Sequence, residues 1–442
     1  MIRSAWLIDA TVYQKNIDKS LLALRNKFYL LKNYAKNKKF GIHPVPTQNA
    51  FSLGLLRIAT LLENNSISAR YIHSDDLVEI LDKENPFNLP DVVIFSAVTP
   101  TIEWCSEMSS RVKQINSKVE VVIGGAHVNA AFESTRKRNF RFDRIIKGYD
   151  INAVETLLGI KIQRPLKFVN YDLLPKGLMQ YDINLFTTLG CVNNCSYCSD
   201  SKIPYFMNSN DGDLSEIIRI VGGSKNVHYF DSTLGGGIER AGAVLEKIKQ
   251  VNHSCHISCD FRADLVNTSI VMKLASAGFK EIMFGVETID RKVLLYNNRR
   301  ISIEVILKAL RMVRDYSDMY ISIYTLAGLP GTNETTSAKD IEFYSYLYKE
   351  NLVDEIKNSL FVPYPIDNVN WEEKGLIIEN AKWSDYDRQS FPVYSGSLTS
   401  EQIWDQYLKI TKSIVDNWES ALKCNINKAT PYPEYYLKCY SS

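Results

Sequence analysis

The chain has 442 residues, 45% of them hydrophobic, with 52 Lys and Arg against 50 Asp and Glu, a net charge of +2. That length suggests roughly two or three domains at ~150 residues each, and the hydrophobic share is ordinary for a globular protein with a full core. Balanced charge gives no support for nucleic-acid binding through a broad basic surface, and no run of about 18 apolar residues exists to span a membrane. The opening Met1-Ile2-Arg3-Ser4 reaches a charge too soon for a signal peptide. Eight cysteines, clustered rather than dispersed, argue for a reducing compartment, the cytoplasm. The basic runs Lys32 to Lys39 and Arg136 to Arg144 read as solvated faces.

Ser4 to Val12 predicts a first strand, and Asn16 to Lys39 a polar stretch of helix and loop. Pro44 and Pro46 lead into a helix from Gly54 to Glu63, with Leu55, Ile58, Ala59 and Leu62 at helical spacing. Ile67 to His73 alternates as a strand, and Asp91 to Ser96 is a short apolar run of the kind a buried parallel strand shows. Trp104 to Ile115 follows as a helix and Val119 to Ile123 as the next strand. Strands alternating with helices imply a doubly wound α/β sheet over residues 1–160. Functional loops in such sheets lie at the carboxyl ends of strands, here Ser96 to Thr99 and Gly124-Gly125-Ala126-His127. Glycines there admit a bulky ligand to the backbone, or simply make a tight turn. His43 and His127 stand singly and read as ordinary hydrogen-bonded residues.

Pro165 to Lys176 reads as a linker, after which Ile183 to Thr188 starts a new alternation. The stretch Leu185 to Cys198 holds Cys191, Cys195 and Cys198, spaced Cys-x3-Cys-x2-Cys, on a loop just past a strand. Three thiolates in one short loop suit an iron–sulfur cluster; a cubane with three protein thiolates keeps one iron open. A structural zinc site wants four ligands, and no Cys or His follows at finger spacing. A disulfide would leave the third thiol over. The pattern, with Tyr197 just before the last cysteine, resembles the signature of the radical S-adenosylmethionine (SAM) superfamily.

The strand candidates Ile183 to Thr188, Val227 to Phe230, His256 to Asp260, Glu281 to Val286, Tyr320 to Leu326 and Lys357 to Phe361 alternate with helices over Leu214 to Val221, Arg240 to Val251, Ser269 to Ala277, Ile303 to Tyr316 and Thr336 to Lys349. Six such units fit the partial (β/α)6 barrel of that superfamily, over residues 161–365, and a barrel places its chemistry at the carboxyl ends of the strands. The resemblance implies that Asp231 and Gly235-Gly236-Gly237 stand where relatives often have Gly-Gly-Glu to meet the amino end of SAM. It also implies cofactor contacts from Asp260, Arg262 and Glu287, a planar fork from Arg299 for the SAM carboxylate, and backbone packing of Leu326 and Ala327 along the adenine. Each charge could instead be a surface ion pair worth ~0–1 kcal/mol, and the three glycines a flexible turn. Cys255 and Cys259 read as buried thiols, and Cys105, Cys424 and Cys439 as uninvolved in a cluster. Residues 366–442, rich in aromatics and helical from Gln402 to Leu422, form a small capping unit that shapes the substrate pocket or merely packs.

Ahead of such a loop, the first 160 residues resemble the cobalamin-binding domain of B12-dependent radical SAM enzymes. The segment into Ser52-Leu53-Gly54-Leu55-Leu56, the Ser96 loop, the Gly124-Gly125 loop and Ile145-Ile146-Lys147-Gly148 fall where that family has them. Tyr149-Asp150 departs from the usual acidic Gly-Glu ending, and no Asp-x-His-x-x-Gly occurs. The resemblance implies a [4Fe–4S] cluster, SAM and cobalamin, with an external electron donor such as flavodoxin or ferredoxin. The reduced cluster would cleave SAM to a 5′-deoxyadenosyl radical that takes a hydrogen atom from a small-molecule substrate. Transfer of a methyl group from cobalamin is the leading outcome. The alternatives are a cobalamin-free dehydration, dehydrogenation or rearrangement, as in aminosugar biosynthesis, and a non-enzymatic iron–sulfur or redox-sensing module.

Overall fold

The computed structural model describes residues 2–10, 18–40, 51–83, 88–147, 151–159, 170–174, 183–185, 187–207, 226–250, 255–380, 382–388 and 390–422. His43, the segment Gly148 to Asp150, the expected helix Leu214 to Val221, Cys424 and Cys439 lie outside them.

Five parallel strands make the first sheet: β1 (Ser4–Asp9), β2 (Ser68–His73), β3 (Val92–Ser96), β4 (Glu120–Gly124) and β5 (Arg144–Ile145), in the order β2-β1-β3-β4-β5. The central strands are covered on both faces, which is why Val92 to Phe95 and Val121 to Ile123 read as unbroken apolar runs. On one face α2 (Leu53–Asn64) packs Leu55, Leu56, Ala59 and Leu62 with Leu7, Val92 and Ile94. On the other, α3 (Ser74–Lys83) and α4 (Ile102–Ile115) pack Leu77, Leu81, Cys105, Met108 and Val112 with Ile8, Val93 and Phe95. Helix α3 was not expected; it starts directly after β2 with no breaker, and only Leu77 and Leu81 at i, i+4 betray it. The strand order reverses between β1 and β3, and in a doubly wound sheet the ligand crevice lies at that point, beyond the carboxyl ends.

The second sheet has six parallel strands in consecutive order: β6 (Ile183–Leu185), β7 (Asn226–Tyr229), β8 (His256–Phe261), β9 (Phe279–Glu287), β10 (Tyr320–Ala327) and β11 (Glu355–Leu360). Among the described residues β11 does not pair with β6, so the barrel is partial. Helices α5 (Ile238–Lys249), α6 (Thr268–Ser276), α7 (Ile303–Tyr316) and α8 (Thr336–Lys349) cover its outer face. Outward residues such as Ile257, Cys259, Ile282, Phe284, Ile321 and Ile323 are fully buried beneath them.

The N-terminal helix α1 (Lys19–Phe40) corrects one reading. The run Lys32 to Lys39 is not a solvated face: α1 lies on the amino-terminal edge of the barrel rather than on the first sheet. Lys36 Nζ reaches Glu281 Oε2 at 2.6 Å, Lys32 lies 3.7 Å from Glu355, and Lys39 3.6 Å from Asp354. Glu281 and Glu355 are buried where their strands begin, and a buried carboxylate requires such partners. Burial alone would push Glu281 up, but Lys36 and Lys357 outweigh it and hold the carboxyl well below its usual range. The C-terminal helix α9 (Ser400–Leu422) is a packing helix on α8 and α1: the Trp418 ring stands 5.1 Å from Phe28 and 6.3 Å from Tyr348. The chain between β11 and α9 crosses to the first sheet. Asp367 N donates to Ala130 O at 2.8 Å, its carboxylate accepts from Glu133 N and Ser134 N, and Trp383 lies under Arg138 and beside His127.

Candidate active site

The three cysteines follow the short strand Thr188–Leu189 on a loop at the mouth of the barrel. All three are free thiols and partly exposed. The loop is fixed from below. Ser196 N donates to Asn297 O at 3.1 Å and Ser196 Oγ to Asn297 Oδ1 at 3.2 Å, while the Asn297 amide donates to Pro330 O at 2.8 Å. Ser201 Oγ caps the carbonyls of Cys195 and Cys198. Among the described residues no three Cys, His, Asp or Glu side chains meet at a point one ion could occupy. A cubane takes one thiolate at each of three iron corners, so its ligands stand apart. Burial, reinforced by Asp200, pushes the Cys198 thiol up to about 12. That thiol stays protonated until a cation reverses the balance, as a bound metal does. Three unpaired sulfur donors in one anchored loop fit an iron–sulfur cluster.

Glu287, Arg299 and Tyr197 are brought together beside this loop. Arg299 Nη1 lies 3.8 Å from Glu287 Oε1, its Nη2 donates to Gly285 O, and its guanidinium reaches the Cys195 sulfur. Burial pushes the Glu287 carboxyl up against the opposing pull of Arg299, the Tyr197 hydroxyl and, from beyond β11, Arg388. Two atoms there have no hydrogen-bond partner although buried: Arg299 Nε and the Tyr197 hydroxyl, which lies near Glu287 without hydrogen-bond geometry. Glu287 itself has φ +66°, on the bulge where the β9–β10 register shifts. A carboxylate residue held in left-handed backbone beside orphaned donors is a pattern of functional sites. Gly285 leaves the room: a Cβ there would stand 2.7 Å from Glu287 Oε1 and 3.2 Å from Arg299 Nη2.

Asp231 is used differently. Its Oδ1 accepts from Thr187 N (2.6 Å) and Thr188 N (3.1 Å), and its Oδ2 from Gly235 N (3.0 Å) and Thr187 Oγ1. The carboxylate therefore staples the strand before the cysteines to the glycine turn, and its acceptors are taken up by the chain. Gly235 and Gly236 have φ of +66° and +69°, and a Cβ on Gly236 would overlap the Tyr205 hydroxyl, so the turn requires glycine. Arg262 forks onto Asp264, two residues away, through Nε and Nη2. Asp260 faces His228 Nε2 at 3.1 Å inside the barrel. Leu326 and Ala327 end β10, where Ala327 O accepts from Phe361 N at 2.8 Å. Cys255 and Cys259 are buried under the helices, as read.

At the switch point of the first sheet, Asp9 and Ser96 are paired in register at the ends of β1 and β3. Buried Asp9 Oδ2 accepts from Ser52 N (2.7 Å) and Tyr71 Oη (2.6 Å), and Ser52 Oγ lies 3.2 Å from Ser96 Oγ. Sequence reasoning missed Asp9 and Tyr71, since neither belongs to a motif. The ends of β3 and β4 and the residue past β1 are small, Ser96-Ala97, Gly124-Gly125-Ala126 and Ala10, and small side chains let a large flat ligand approach the backbone. This rim fits a corrin. The glycines, however, are explained by the chain itself. Gly125 has φ +98° and a Cβ would stand 2.6 Å from Ala97 N, while one on Gly124 would stand 3.2 Å from Ile146 O. His127 is no cobalt ligand: its ring nitrogens meet Thr99 Oγ1 and Thr135 Oγ1, both at 3.1 Å, and burial, aided by Arg138, lowers its pKa to about 3.

The carboxyl-terminal edges of the two sheets face each other. The turn of helix Ala126–Ala130, just past β4, packs against Ser199–Lys202, just past the cysteine loop.

A partial parallel barrel with three free thiols at its mouth, behind a doubly wound sheet, defines a radical SAM enzyme with an added cofactor domain. The Radical SAM superfamily model matches residues 185–343 and the B12 binding domain model residues 45–158; the chain carries a radical SAM domain with a B12-binding domain ahead of it. It is similar to the uncharacterized methyltransferase PH0819 of Pyrococcus horikoshii, at 22% identity over 399 residues, 79% of this chain and 84% of that one. Its fold is that of the radical SAM methyltransferase TsrM from Kitasatospora setae, solved with cobalamin and a [4Fe–4S] cluster: TM-score 0.64, 13% identity, 93% of this chain and 91% of that one. The cobalamin-dependent SAM radical enzyme OxsB aligns with TM-score 0.53 and 12% identity, over 98% of this chain and 63% of that one. The radical SAM domain implies a [4Fe–4S] cluster and SAM, and the B12-binding domain implies cobalamin. No helix among the described residues is long and apolar enough to cross a membrane.

Proposed function

We propose that this chain is a cobalamin-dependent radical SAM methyltransferase that methylates a carbon of a small molecule. The observation that carries the proposal is the facing of the two carboxyl-terminal rims, with Ala126–Ala130 against Ser199–Lys202. A corrin on the Ser52–Ser96 rim and SAM on the Glu287–Arg299 shelf would then border one chamber. When bound, the cluster supplies an electron to SAM and cobalamin supplies the methyl group. The chain's residues bind and orient. Cys191, Cys195 and Cys198 hold the cluster. The orphaned Nε of Arg299 donates to the SAM carboxylate, Glu287 accepts from its ammonium or ribose, and Tyr197 closes the space beneath. Asp231 and Asn297 position the loop from which the thiols project. Leu326 and Ala327 border the adenine. An external one-electron carrier of the flavodoxin or ferredoxin kind reduces the cluster past Val192, which is 64% exposed on the same loop.

The test is product analysis of SAM turnover by anaerobically reconstituted protein, with and without cobalamin. Both S-adenosylhomocysteine and 5′-deoxyadenosine should form, the first only when cobalamin is present. Cleavage to 5′-deoxyadenosine alone under both conditions would remove the methyltransferase reading and leave a cobalamin-free radical reaction.

A further inference from the structure

A closed parallel barrel fills its interior with Val, Ile and Leu. This partial barrel does not. The inward positions of β7 to β11 carry His228, Ser258, Asp260, Met283, Tyr324 and Lys357. Side-chain exposure of 15% at His228, 25% at Asp260 and 20% at Lys357 contrasts with the fully buried outward residues between them. The lumen is therefore a solvent-reaching polar chamber. Its floor is the layer where Lys36 of α1 meets Glu281, which also accepts from Ser322 Oγ at 2.7 Å.

The hydrogen bonding in this chamber is incomplete in a specific way. Tyr324 Oη points at Met283 Sδ at 2.9 Å, and Lys357 Nζ points at the same sulfur at 3.2 Å. The carboxylate oxygen Glu281 Oε1 lies 3.7 Å from Lys357 Nζ. A thioether is a weak acceptor, whereas an ammonium has three donors to place. Two strong donors thus converge on a poor partner, where under-satisfied polar groups cost stability. Against burial, which pushes it down, Tyr324, Glu355, Glu281 and Asp260 hold Lys357 well up, so it stays charged. Facing it is the Asp260 carboxylate, whose Oδ2 accepts from His228 Nε2 at 3.1 Å, His228 Nδ1 being engaged by Ser258 Oγ at 3.0 Å. Lys357 and Asp260 thus present one ammonium and one carboxylate to the lumen, matching a ligand that carries both charges.

We propose that the lumen is the substrate chamber and takes a small zwitterion of the amino-acid type, its carboxylate between Tyr324 and Lys357 and its ammonium toward the Asp260 carboxylate. This rests on the proposed function only in that the chamber lies beneath the shelf assigned to SAM. The experiment is isothermal titration of the anaerobically reconstituted, SAM-loaded protein with L-alanine and L-tryptophan. Tryptamine, which lacks the carboxylate, and indole-3-propionate, which lacks the ammonium, are run beside them. At least one zwitterion should bind saturably, the single-charge analogues should bind at least tenfold more weakly, and Tyr324→Phe and Lys357→Gln should each weaken the zwitterion at least tenfold. Tyr324→Phe removes one hydroxyl and leaves the Lys357–Glu281 pair, so its fold and SAM affinity should be unchanged. No saturable binding of either zwitterion, or equal binding by Tyr324→Phe, overturns the proposal. Failure of methyl transfer does not bear on it, since no turnover is read.

Discussion

The rim of the barrel and the rim of the first sheet are built from opposite materials. At the barrel, strand ends carry charge: Glu287 and Arg299 converge beside the cysteines and leave Arg299 Nε and the Tyr197 hydroxyl unpartnered. At the first sheet, β3 and β4 end in Ser, Ala and Gly, the Asp9 carboxylate at the end of β1 is taken up by Ser52 and Tyr71, and Gly125 is required by the backbone of Ala97 whether or not a ligand binds. The lesson concerns inference. Charged side chains that converge with atoms to spare point to a missing ligand, because leaving them unsatisfied is costly. A small residue shows where a ligand has room, but internal packing can demand it equally.

The largest expected effect is at the thiols. Replacing Cys191, Cys195 or Cys198 by Ala should remove the cluster and SAM cleavage completely, while cobalamin retention by the first sheet persists. Iron content, 5′-deoxyadenosine yield and bound corrin read the three separately. Loss of corrin along with iron would mean that the two rims do not bind independently. Cys105→Ala, a change buried on α4 against the first sheet, should leave the iron in place.

Next come Glu287→Gln and Arg299→Lys, each removing a charge-assisted contact worth roughly 1.5–3 kcal/mol, or about ten- to a hundredfold in SAM affinity. Glu287→Gly sharpens the point. It relieves a left-handed backbone costing on the order of 1–2 kcal/mol, so the variant should melt no lower than wild type while binding SAM more weakly. Wild-type SAM affinity in all three would dissociate this pair from the cofactor.

Gly125→Ala should destabilise the first sheet by roughly 1–3 kcal/mol in the absence of any cobalamin, from strained backbone and a clash with Ala97. A variant that melts normally and loses only corrin would reverse the account and return Gly125 to the ligand face.

The two regions should also answer pH with opposite sign. His127 is held neutral, its pKa lowered by burial from 6.5 to about 3. Its contribution is complete above 6.5 and falls by about 1.4 kcal/mol for each pH unit below that, because only the unfolded chain takes up the proton. Asp340, buried beneath Thr288 and Ile289 next to Glu287, is raised by burial to about 7 from 3.8. Its contribution is complete below 3.8 and is lost as pH rises through 7. Thermal melts from pH 5 to 8 should show His127→Gln removing a rise in stability between pH 5 and 6.5 and Asp340→Asn removing a fall between pH 5 and 7; unchanged profiles would mean that neither group titrates on unfolding.

Apart from the two-residue β5, the strands of both sheets were legible because buried parallel strands are continuous apolar runs or strict alternations, and the cysteine spacing is local. What was not legible depends on tertiary placement. Lys32 to Lys39 looks like any basic helix face until Glu281 and Glu355 are seen to lie buried beneath it. Asp231 reads as a cofactor ligand at a strand end, yet Thr187, Thr188 and Gly235 fill its acceptor sites. Asn297, two residues before Arg299, ties the cluster loop to Pro330, a link that no spacing announces. Asp9, Tyr71, Tyr324 and Lys357 belong to no motif and become visible only through what they face.

The central claim is that a corrin rim and a cluster rim share one chamber. The most direct measurement is the ultraviolet–visible spectrum of anaerobically reconstituted protein, incubated with excess cobalamin and then desalted. The account predicts iron–sulfur absorption together with an equimolar corrin spectrum that survives desalting, and that persists in Cys195→Ala when the iron is gone. A fully loaded cluster with no retained corrin, under every cobalamin form supplied, would contradict it.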